Sequence, residues 1–232
     1  MNYYETTSSD ARRPISTAFV DVDETLVRDI TFLSLFEFDA HRREGRPACH
    51  SPAAEHETVQ RFRSLRAAGL GRADSHRWLY RHWAGRDVAD VRAVGREWFT
   101  DRSAAAGYFN EAVLRRLAEI ADTGAHIVLV SGSFDAALAP IAEQIRAHAV
   151  LCTDLEIDRG RYTGSVTATM VGPDKAVAVR RYADEHGIDL RDCAAFGDHH
   201  SDISMFDLVG HPVVVGDADP ALRGYPAERL AG

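Results

Sequence analysis

The sequence predicts an α/β protein in which a doubly wound parallel sheet is interrupted by an all-helical insertion. Short apolar, β-prone runs alternate with amphipathic stretches of helical spacing over most of the chain, which is typical of a parallel sheet covered by helices. Residues 28–108 break this alternation and show helical spacing only. We therefore expect a core domain formed by residues 1–27 and 109–232, and a helical cap domain formed by residues 28–108.

The strands of the core are predicted from apolar runs that stop at polar or glycine residues. These runs are Ile15–Val20, His126–Val130, Cys193–Phe196 and His211–Val215. The helices between and after them are predicted at Glu111–Ala121, Phe134–Ala147, Asp174–His186 and Asp202–Val209. Two further β-prone runs, Asp154–Ile157 and Arg161–Val166, flank a turn sequence and predict a hairpin.

The insertion is predicted to contain four helices separated by loops with glycine or proline. They are Thr31–Glu44, Glu55–Ala68, Ala73–Trp83 and Asp87–Arg102. This segment holds 14 Arg against 11 acidic residues, whereas the rest of the chain holds 13 basic against 24 acidic residues. The two parts therefore differ in charge, with nets of +3 and −11.

Composition excludes several classes of protein. The chain has 232 residues, is 45% hydrophobic and carries a net charge of −8. No apolar run approaches the ~18 residues of a membrane span, and the polar start of the chain, residues 1–14, lacks a signal pattern, so we expect a loose tail and a cytoplasmic protein without a membrane partner. The acidic balance argues against nucleic-acid binding. Cys49, Cys152 and Cys193 lack CxxC spacing and are expected to be small core residues.

The strongest chemical signal is the sequence DVDETL, which directly follows the first predicted strand. Asp21 and Asp23 stand at i and i+2 where a strand passes into a loop, so both carboxylates can face one cation and one phosphate. A carboxylate can attack phosphorus, while a second carboxyl protonates the departing oxygen and then activates water. A bland alternative is that such a pair is only a solvated turn.

Other polar groups follow the later strands and could offset the repulsion between two anions. Ser131, with the amides of Gly132 and Ser133, can donate to phosphate oxygens at a strand-to-helix junction. Lys175, the single lysine of the chain, offers a point charge. Asp198 and Asp202 offer hard oxygen ligands for Mg²⁺.

In this order the motifs resemble the four motifs of the haloacid dehalogenase superfamily, over about residues 16–225. The resemblance is closest to the phosphoserine-phosphatase-like branch, which has a Rossmann-like core and a helical cap inserted after the first motif. It implies that Asp21 is the nucleophile and Asp23 the general acid/base. It also implies that Thr25, Ser131 and Lys175 hold the phosphoryl group. Mg²⁺ would be bound by Asp21, the Asp23 carbonyl and Asp198, with Asp202 supporting Lys175 or a metal-bound water.

Departures from the family pattern limit what can be said about the substrate. In phosphoserine phosphatases a Glu nine residues after the nucleophile binds the substrate's amino group, and this chain has Ile30 there. We therefore expect phosphoserine to be a poor substrate. Phe32 and Phe36 are candidate pocket residues, although a helix core explains them equally well.

Three positions in or near the motifs have no assigned role. Glu24, His199 and His200 differ from the residues usual in the family. A metal-ligand role for the two histidines is disfavoured, because Mg²⁺ prefers oxygen.

The sequence thus predicts a Mg²⁺-dependent phosphatase that hydrolyses a small phosphorylated metabolite through an aspartyl phosphate. Two alternatives stay open: a phosphotransferase or mutase of the same superfamily, and a catalytically silent binding protein with the same fold. The sequence does not predict the substrate or the oligomeric state.

Overall fold

A computed structural model describes residues 14–45, 55–217 and 219–232. Its centre is a six-stranded, all-parallel sheet with the order β3-β2-β1-β6-β7-β8. The strands are β1 (Thr17–Val20), β2 (His126–Ser131), β3 (Ala149–Cys152), β6 (Cys193–Gly197), β7 (His211–Val215) and β8 (Glu228–Leu230). The predicted doubly wound α/β fold is confirmed. Its strand order reverses direction between β1 and β6, the position at which such sheets bind ligands.

Helices cover both faces of this sheet, as alternation of side chains along β1 requires. Ala18 and Val20 belong to one apolar cluster, and Phe19, between them, belongs to the other. The core helices are α5 (Glu111–Ala121), α6 (Asp135–Ile145), α7 (Pro173–His186) and α8 (Ile203–Phe206). The prediction of a helix through Val209 is wrong, because a 3₁₀ turn at His200–Asp202 precedes α8 and only four α-helical residues follow.

The segment between β1 and α5 contains four α-helices among the described residues. They are α1 (Thr31–Arg43), α2 (Glu57–Ala67), α3 (Arg72–Tyr80) and α4 (Val88–Ser103), with a 3₁₀ turn at Arg81–Trp83 after α3. The predicted helices are thus found, with ends shifted by a few residues. The division of the chain into two domains stays a prediction, since one apolar cluster includes residues of both parts.

Close packing fixes this helical segment, called the cap below, over the sheet. A Cβ atom on Gly95 of α4 would collide with the carbonyl of Ala136 in α6, so glycine permits the two helices to approach closely. The predicted hairpin, β4 (Asp154–Asp158) and β5 (Arg161–Ala168), also binds the cap. Its Tyr162 carbonyl accepts from Gly85 N at 2.8 Å, and Tyr162 N donates to Arg86 O at 3.0 Å.

Two cysteine predictions can be compared with the structure. Cys193 is fully buried, as expected, whereas Cys152 is only half-buried. Cys49 and residues 1–13 of the expected tail lie outside the described residues. Within the described ranges, no helix is both long and apolar enough to cross a membrane.

Candidate active site

The structure brings most of the predicted polar residues to the carboxyl edge of the sheet. Asp21 follows β1, Asp198 follows β6, and Val20 is paired in register with Phe196, so these two carboxylates leave adjacent strands. Ser131 is the last residue of β2, the other neighbour of β1. Lys175 reaches the same edge from the first turn of α7.

A buried ion network occupies the middle of this edge. The Nζ atom of Lys175 donates to Asp21 Oδ1 at 2.7 Å and to Asp202 Oδ1 at 2.6 Å. Burial alone would lower the pKa of Lys175, but the carboxylates of Asp202 and Asp21 outweigh it and the pKa is raised. Lys175 therefore stays charged. Gly197 makes room for this network, since a Cβ atom there would lie 2.6 Å from Asp202 Oδ2.

Carboxylates outnumber cations around Lys175. Asp21, Asp198 and Asp202 each place one oxygen within 4.8 Å of the others. Burial raises the pKa of Asp21 to about 6. Burial, with the charges of Asp21 and Asp202, raises the pKa of Asp198 to about 7. A cluster of hard oxygen donors that is short of positive charge suits a divalent cation such as Mg²⁺.

Within this cluster Asp202 is already engaged. Besides Lys175, it accepts from His199 N through Oδ2 at 3.2 Å, and it is completely buried. Asp21 also accepts from Lys175, whereas Asp198 accepts from Thr25, and the metal-binding roles of Asp21 and Asp198 stay predictions. Asp202 contacts Lys175 directly, which is one of the two roles that the resemblance implies for it.

Asp23 is buried near this cluster but is held by different partners. Its Oδ1 accepts from Thr31 N at 2.9 Å and from Thr31 Oγ1 at 2.6 Å. The Thr31 hydroxyl also lies 2.8 Å from Ser133 Oγ, so three elements meet at this carboxyl. Burial raises the pKa of Asp23 to about 7, although the bonds from Thr31 oppose that shift. Asp23 can thus carry a proton near neutral pH, as a general acid must.

The turn after β1 contains backbone strain. Glu24 adopts a left-handed conformation, with φ 62°, and its side chain is exposed. This conformation costs a non-glycine residue roughly 1–2 kcal/mol. The turn places Thr25 beneath Asp198, to which the Thr25 hydroxyl donates at 2.9 Å. Thr25 is fully buried, and the contact that the structure shows is with this carboxylate; its phosphate-binding role stays a prediction.

The loop after β2 joins the core to the cap. Ser131 Oγ accepts from Ser133 N at 3.1 Å and is buried. The carbonyl of Gly132 accepts from Tyr80 OH and Thr153 Oγ1, each at 2.8 Å. The same carbonyl lies 3.2 Å from His76 Nδ1, so this nitrogen carries the proton. The loop is therefore held by the cap, through Tyr80 and His76, and by the core, through Thr153.

The carboxylates open into a narrow cavity between the sheet edge and α3, with a volume of about 10 Å³. Its lining residues come from the core and the cap: Asp21, Asp23, Arg72, His76, Gly132, Met170, Val171, Lys175 and Ser201. Arg72 and His76 were not singled out from the sequence. Burial, together with the charge of Arg72, lowers the pKa of His76 to about 3, so this side chain is neutral at physiological pH.

The three predicted pocket residues are not among the described residues that line this cavity. Phe32 is buried and packs on His76, with ring centroids 4.3 Å apart. Phe36 packs edge-on against Trp83 at 5.9 Å. Ile30 is half-buried and directly precedes Thr31. Their role in substrate binding stays a prediction, and the contacts observed are those of a helix core.

His199 and His200 form a separate cluster with Asp219. His200 Nδ1 lies 2.6 Å from Asp219 Oδ2, and His199 Nε2 lies 3.5 Å from the same oxygen. His199 Nδ1 accepts from Ser201 N at 3.1 Å, which places the proton of a neutral ring on Nε2. That nitrogen then lacks the lone pair that a metal needs. The hydrogen bonds indicate that His199 shapes the loop between Asp198 and Asp202.

Comparison with known proteins points to one family. Residues 18–207 match the family model of haloacid dehalogenase-like hydrolases. Phosphoserine phosphatase SerB1 of Mycobacterium tuberculosis is 28% identical over 231 residues, which cover 95% of this chain and 72% of that protein. The inhibition of morphological differentiation protein of Streptomyces azureus is 30% identical over 222 residues, with coverages of 90% and 74%.

Solved structures share the fold at low sequence identity. A protein of unknown function from Bordetella pertussis Tohama I gives a TM-score of 0.79 at 19% identity, covering 92% of this chain and 97% of that chain. A phospho-aspartyl intermediate analogue of phosphoserine phosphatase gives a TM-score of 0.66 at 22% identity, covering 94% of each chain. At these identities the likeness establishes the fold and not the substrate.

Proposed function

Because the chain belongs to the haloacid dehalogenase-like hydrolase family and is an enzyme of phosphatase type, we propose that it hydrolyses a small phosphomonoester through an aspartyl phosphate on Asp21. The observation that carries this proposal is one buried edge at which two carboxyls have different partners. Asp21 is bound by the cation Lys175, and Asp23 is bound by the neutral Thr31. The cation beside Asp21 favours an ionised nucleophile, whereas burial without a cation partner favours a protonated Asp23, although the hydrogen bonds from Thr31 oppose this.

In the first half of the reaction, Asp21 attacks phosphorus. A bond forms between its carboxylate oxygen and the phosphorus, and the bond to the ester oxygen breaks. Asp23 gives its proton to that departing oxygen, so the leaving group departs as a neutral alcohol. Lys175 offsets the charge that accumulates where carboxylate and phosphoryl group meet. Asp202 holds Lys175 in place, since it binds the same Nζ atom.

In the second half, the ionised Asp23 accepts a proton from water, and that water attacks the phosphorus of the aspartyl phosphate. The bond between phosphorus and the Asp21 oxygen breaks, which releases inorganic phosphate and regenerates both carboxyls. The donors of the β2 loop, Ser131 and the amides of Gly132 and Ser133, are proposed to bind the phosphoryl oxygens.

The acidic cluster fits Mg²⁺, which we propose as the cofactor. Asp21, Asp198 and the Asp23 carbonyl would hold it, and Thr25 would orient Asp198 through the 2.9 Å hydrogen bond. When bound, the ion supplies the positive charge that lets a carboxylate and a phosphate dianion approach each other. In this assignment Asp202 binds Lys175 and does not bind the ion.

The proposal is tested by phosphate release from p-nitrophenyl phosphate with Mg²⁺, followed by rapid acid quench and peptide mass spectrometry. We expect the phosphoryl adduct on Asp21. Asp21→Asn should lower turnover roughly 10⁴-fold or more, the scale found when a nucleophile is removed. The matched control is Asp217→Asn, which changes an exposed carboxylate after β7 at the same edge and should leave turnover unchanged.

Two results would contradict the proposal. An adduct found repeatedly on another residue would refute the role of Asp21. Failure of beryllofluoride with Mg²⁺ to raise the melting temperature, together with absence of turnover, would favour a silent binding protein instead.

A further inference from the structure

Building on the proposed function, we propose that Tyr80 of the cap is a positioning residue that orients the hydroxyl of Ser131 toward the phosphoryl group. A chain of buried hydrogen bonds leads from α3 to the loop after β2. The Tyr80 hydroxyl donates to Gly132 O at 2.8 Å. The N–H of the same peptide group, Ser133 N, donates to Ser131 Oγ at 3.1 Å. The cap is thereby connected to the serine that is predicted to bind phosphate.

The last group of this chain, the Ser131 hydroxyl, has a proton that is not used. Its oxygen accepts from Ser133 N, and among the described residues its proton reaches no acceptor. The side chain is buried, where a polar group without a partner costs free energy. A phosphoryl oxygen bound at this edge of the sheet would supply the acceptor. The amide of Ser133 thus contributes to the phosphoryl site by way of Ser131.

The Gly132 carbonyl receives more donors than its burial requires. It accepts from Thr153 Oγ1 of the core at 2.8 Å, and His76 Nδ1 lies 3.2 Å away. A carbonyl oxygen has two lone pairs, so these two donors already satisfy it. The hydroxyl of Tyr80 is a third donor, and satisfaction of a buried acceptor does not explain its presence. Donors on a carbonyl polarise the peptide group and strengthen its N–H as a donor, which explains it.

The packing around Tyr80 fixes the position of its hydroxyl. The side chain is buried and contacts Phe134 and Phe32, with ring centroids 5.4 and 5.9 Å away. Burial raises the pKa of Tyr80, so the hydroxyl stays protonated and donates to the carbonyl. Tyr80→Phe removes this donor and keeps the aromatic packing.

A double-mutant cycle between Tyr80→Phe and Ser131→Ala tests the connection. Calorimetry with orthovanadate and Mg²⁺ measures oxyanion binding without turnover. We expect Tyr80→Phe to weaken vanadate binding about fivefold, as for the loss of one hydrogen bond. It should lower kcat/KM for p-nitrophenyl phosphate by a similar factor. In the Ser131→Ala background the same substitution should change the affinity less than about twofold, because the hydroxyl that Tyr80 orients is missing.

Tyr108→Phe is the matched control. It also removes a buried tyrosine hydroxyl of the cap segment, but that hydroxyl has no hydrogen-bond partner among the described residues. The affinity for vanadate should therefore stay unchanged. Urea unfolding of each variant separates binding from stability. If Tyr80 acted through packing alone, Tyr80→Phe would lower the free energy of unfolding and leave the vanadate affinity of the folded protein unchanged, which would overturn the proposal.

The remaining outcomes separate this role of Tyr80 from the proposed function. Equal losses of affinity from Tyr80→Phe in the wild type and in Ser131→Ala would show that Tyr80 does not act through Ser131. That result would overturn the proposal even if Asp21 carried the phosphoryl adduct. Failure of the wild type to bind vanadate would overturn it as well. The expected cycle without turnover of any ester would refute only the hydrolytic function.

Discussion

The cap and the catalytic edge of the sheet both contain buried carboxylates, but they balance them differently. In the cap, Asp39 is 1% exposed and is bound by two arginines. Arg86 forms a two-pronged ion pair with it, with one arm at 3.0 Å, and Arg43 Nε lies 3.0 Å away. At the sheet edge, Asp21 and Asp202 share Lys175, while the neighbouring Asp198 accepts from the Thr25 hydroxyl and forms no ion pair among the described residues.

This difference separates a structural ion pair from a binding site. The charge of Asp39 is compensated by the fold itself, so the cap needs no ligand there. The carboxylates of the sheet edge are not fully compensated by cations. Burial therefore raises the pKa of Asp21 and of Asp198. A site that binds a cation and then a phosphate must keep such uncompensated groups, at a cost in stability.

Asp39→Asn removes the buried carboxylate of the cap and tests its structural role. It leaves two arginines without their partner and should lower the free energy of unfolding by about 3 kcal/mol. Urea unfolding measures this loss, and the folded fraction should keep its turnover because Asp39 is outside the cavity. Asp74→Asn, which removes an exposed surface pair, should cost less than about 1 kcal/mol. Unchanged stability combined with lost turnover would contradict the structural role of Asp39.

Thr31→Val tests whether the acid of the catalytic edge depends on a residue of the cap. The substitution removes the hydroxyl that donates to Asp23 and contacts Ser133, at nearly constant volume. We expect kcat to fall about tenfold with little change in KM, since a lost hydrogen bond to a charged group is worth about 1.5 kcal/mol or more. Thr31→Ser restores the hydroxyl and should recover most of kcat. A change in KM without a change in kcat, or no recovery of kcat in Thr31→Ser, would indicate that Thr31 acts through packing only.

Asp198→Asn, measured in EDTA, tests whether the buried charge of Asp198 destabilises the fold when no metal is bound. The folded-state pKa of Asp198, about 7, lies above its value of about 3.9 in the unfolded chain. The ionised carboxylate therefore destabilises the fold at pH 8, and this penalty is relieved as the pH falls through 7. In EDTA the substitution should raise the free energy of unfolding by about 1 kcal/mol at pH 8 and by less at pH 5.5. His76 and His199 have lowered pKa values and act in the opposite direction, so the variant must be compared with the wild type at each pH.

Mg²⁺ should make the wild type more stable than Asp198→Asn, the reverse of the order expected in EDTA. At pH 8 it should stabilise the wild type and have little effect on Asp198→Asn. Asp217→Asn serves as the control and should respond to Mg²⁺ as the wild type does. Equal effects of Asp198→Asn at both pH values would refute the view that the buried charge of this residue is uncompensated.

Local patterns in the sequence predict the parallel sheet and the order of the motifs along it. Each long strand has an apolar run that ends at a polar residue, and parallel strands bring their carboxyl ends to one edge. The positions of Asp21, Lys175 and Asp198 could therefore be predicted together. The edge strands β3 and β8 were missed, because Ala149–Cys152 is short and half-buried and Glu228–Leu230 is largely polar.

The contribution of the cap to the site depends on contacts between residues that are distant in the sequence. Arg72 is one of 14 arginines in the inserted segment, and nothing in its local sequence distinguishes it. It lines the cavity because two other side chains of α3, those of His76 and Tyr80, bind the Gly132 carbonyl at the sheet edge and hold the helix there. Thr31 reaches Asp23 from the first position of α1. Strand patterns are local and survive in the sequence, whereas the orientation of a helical insertion depends on contacts between distant residues.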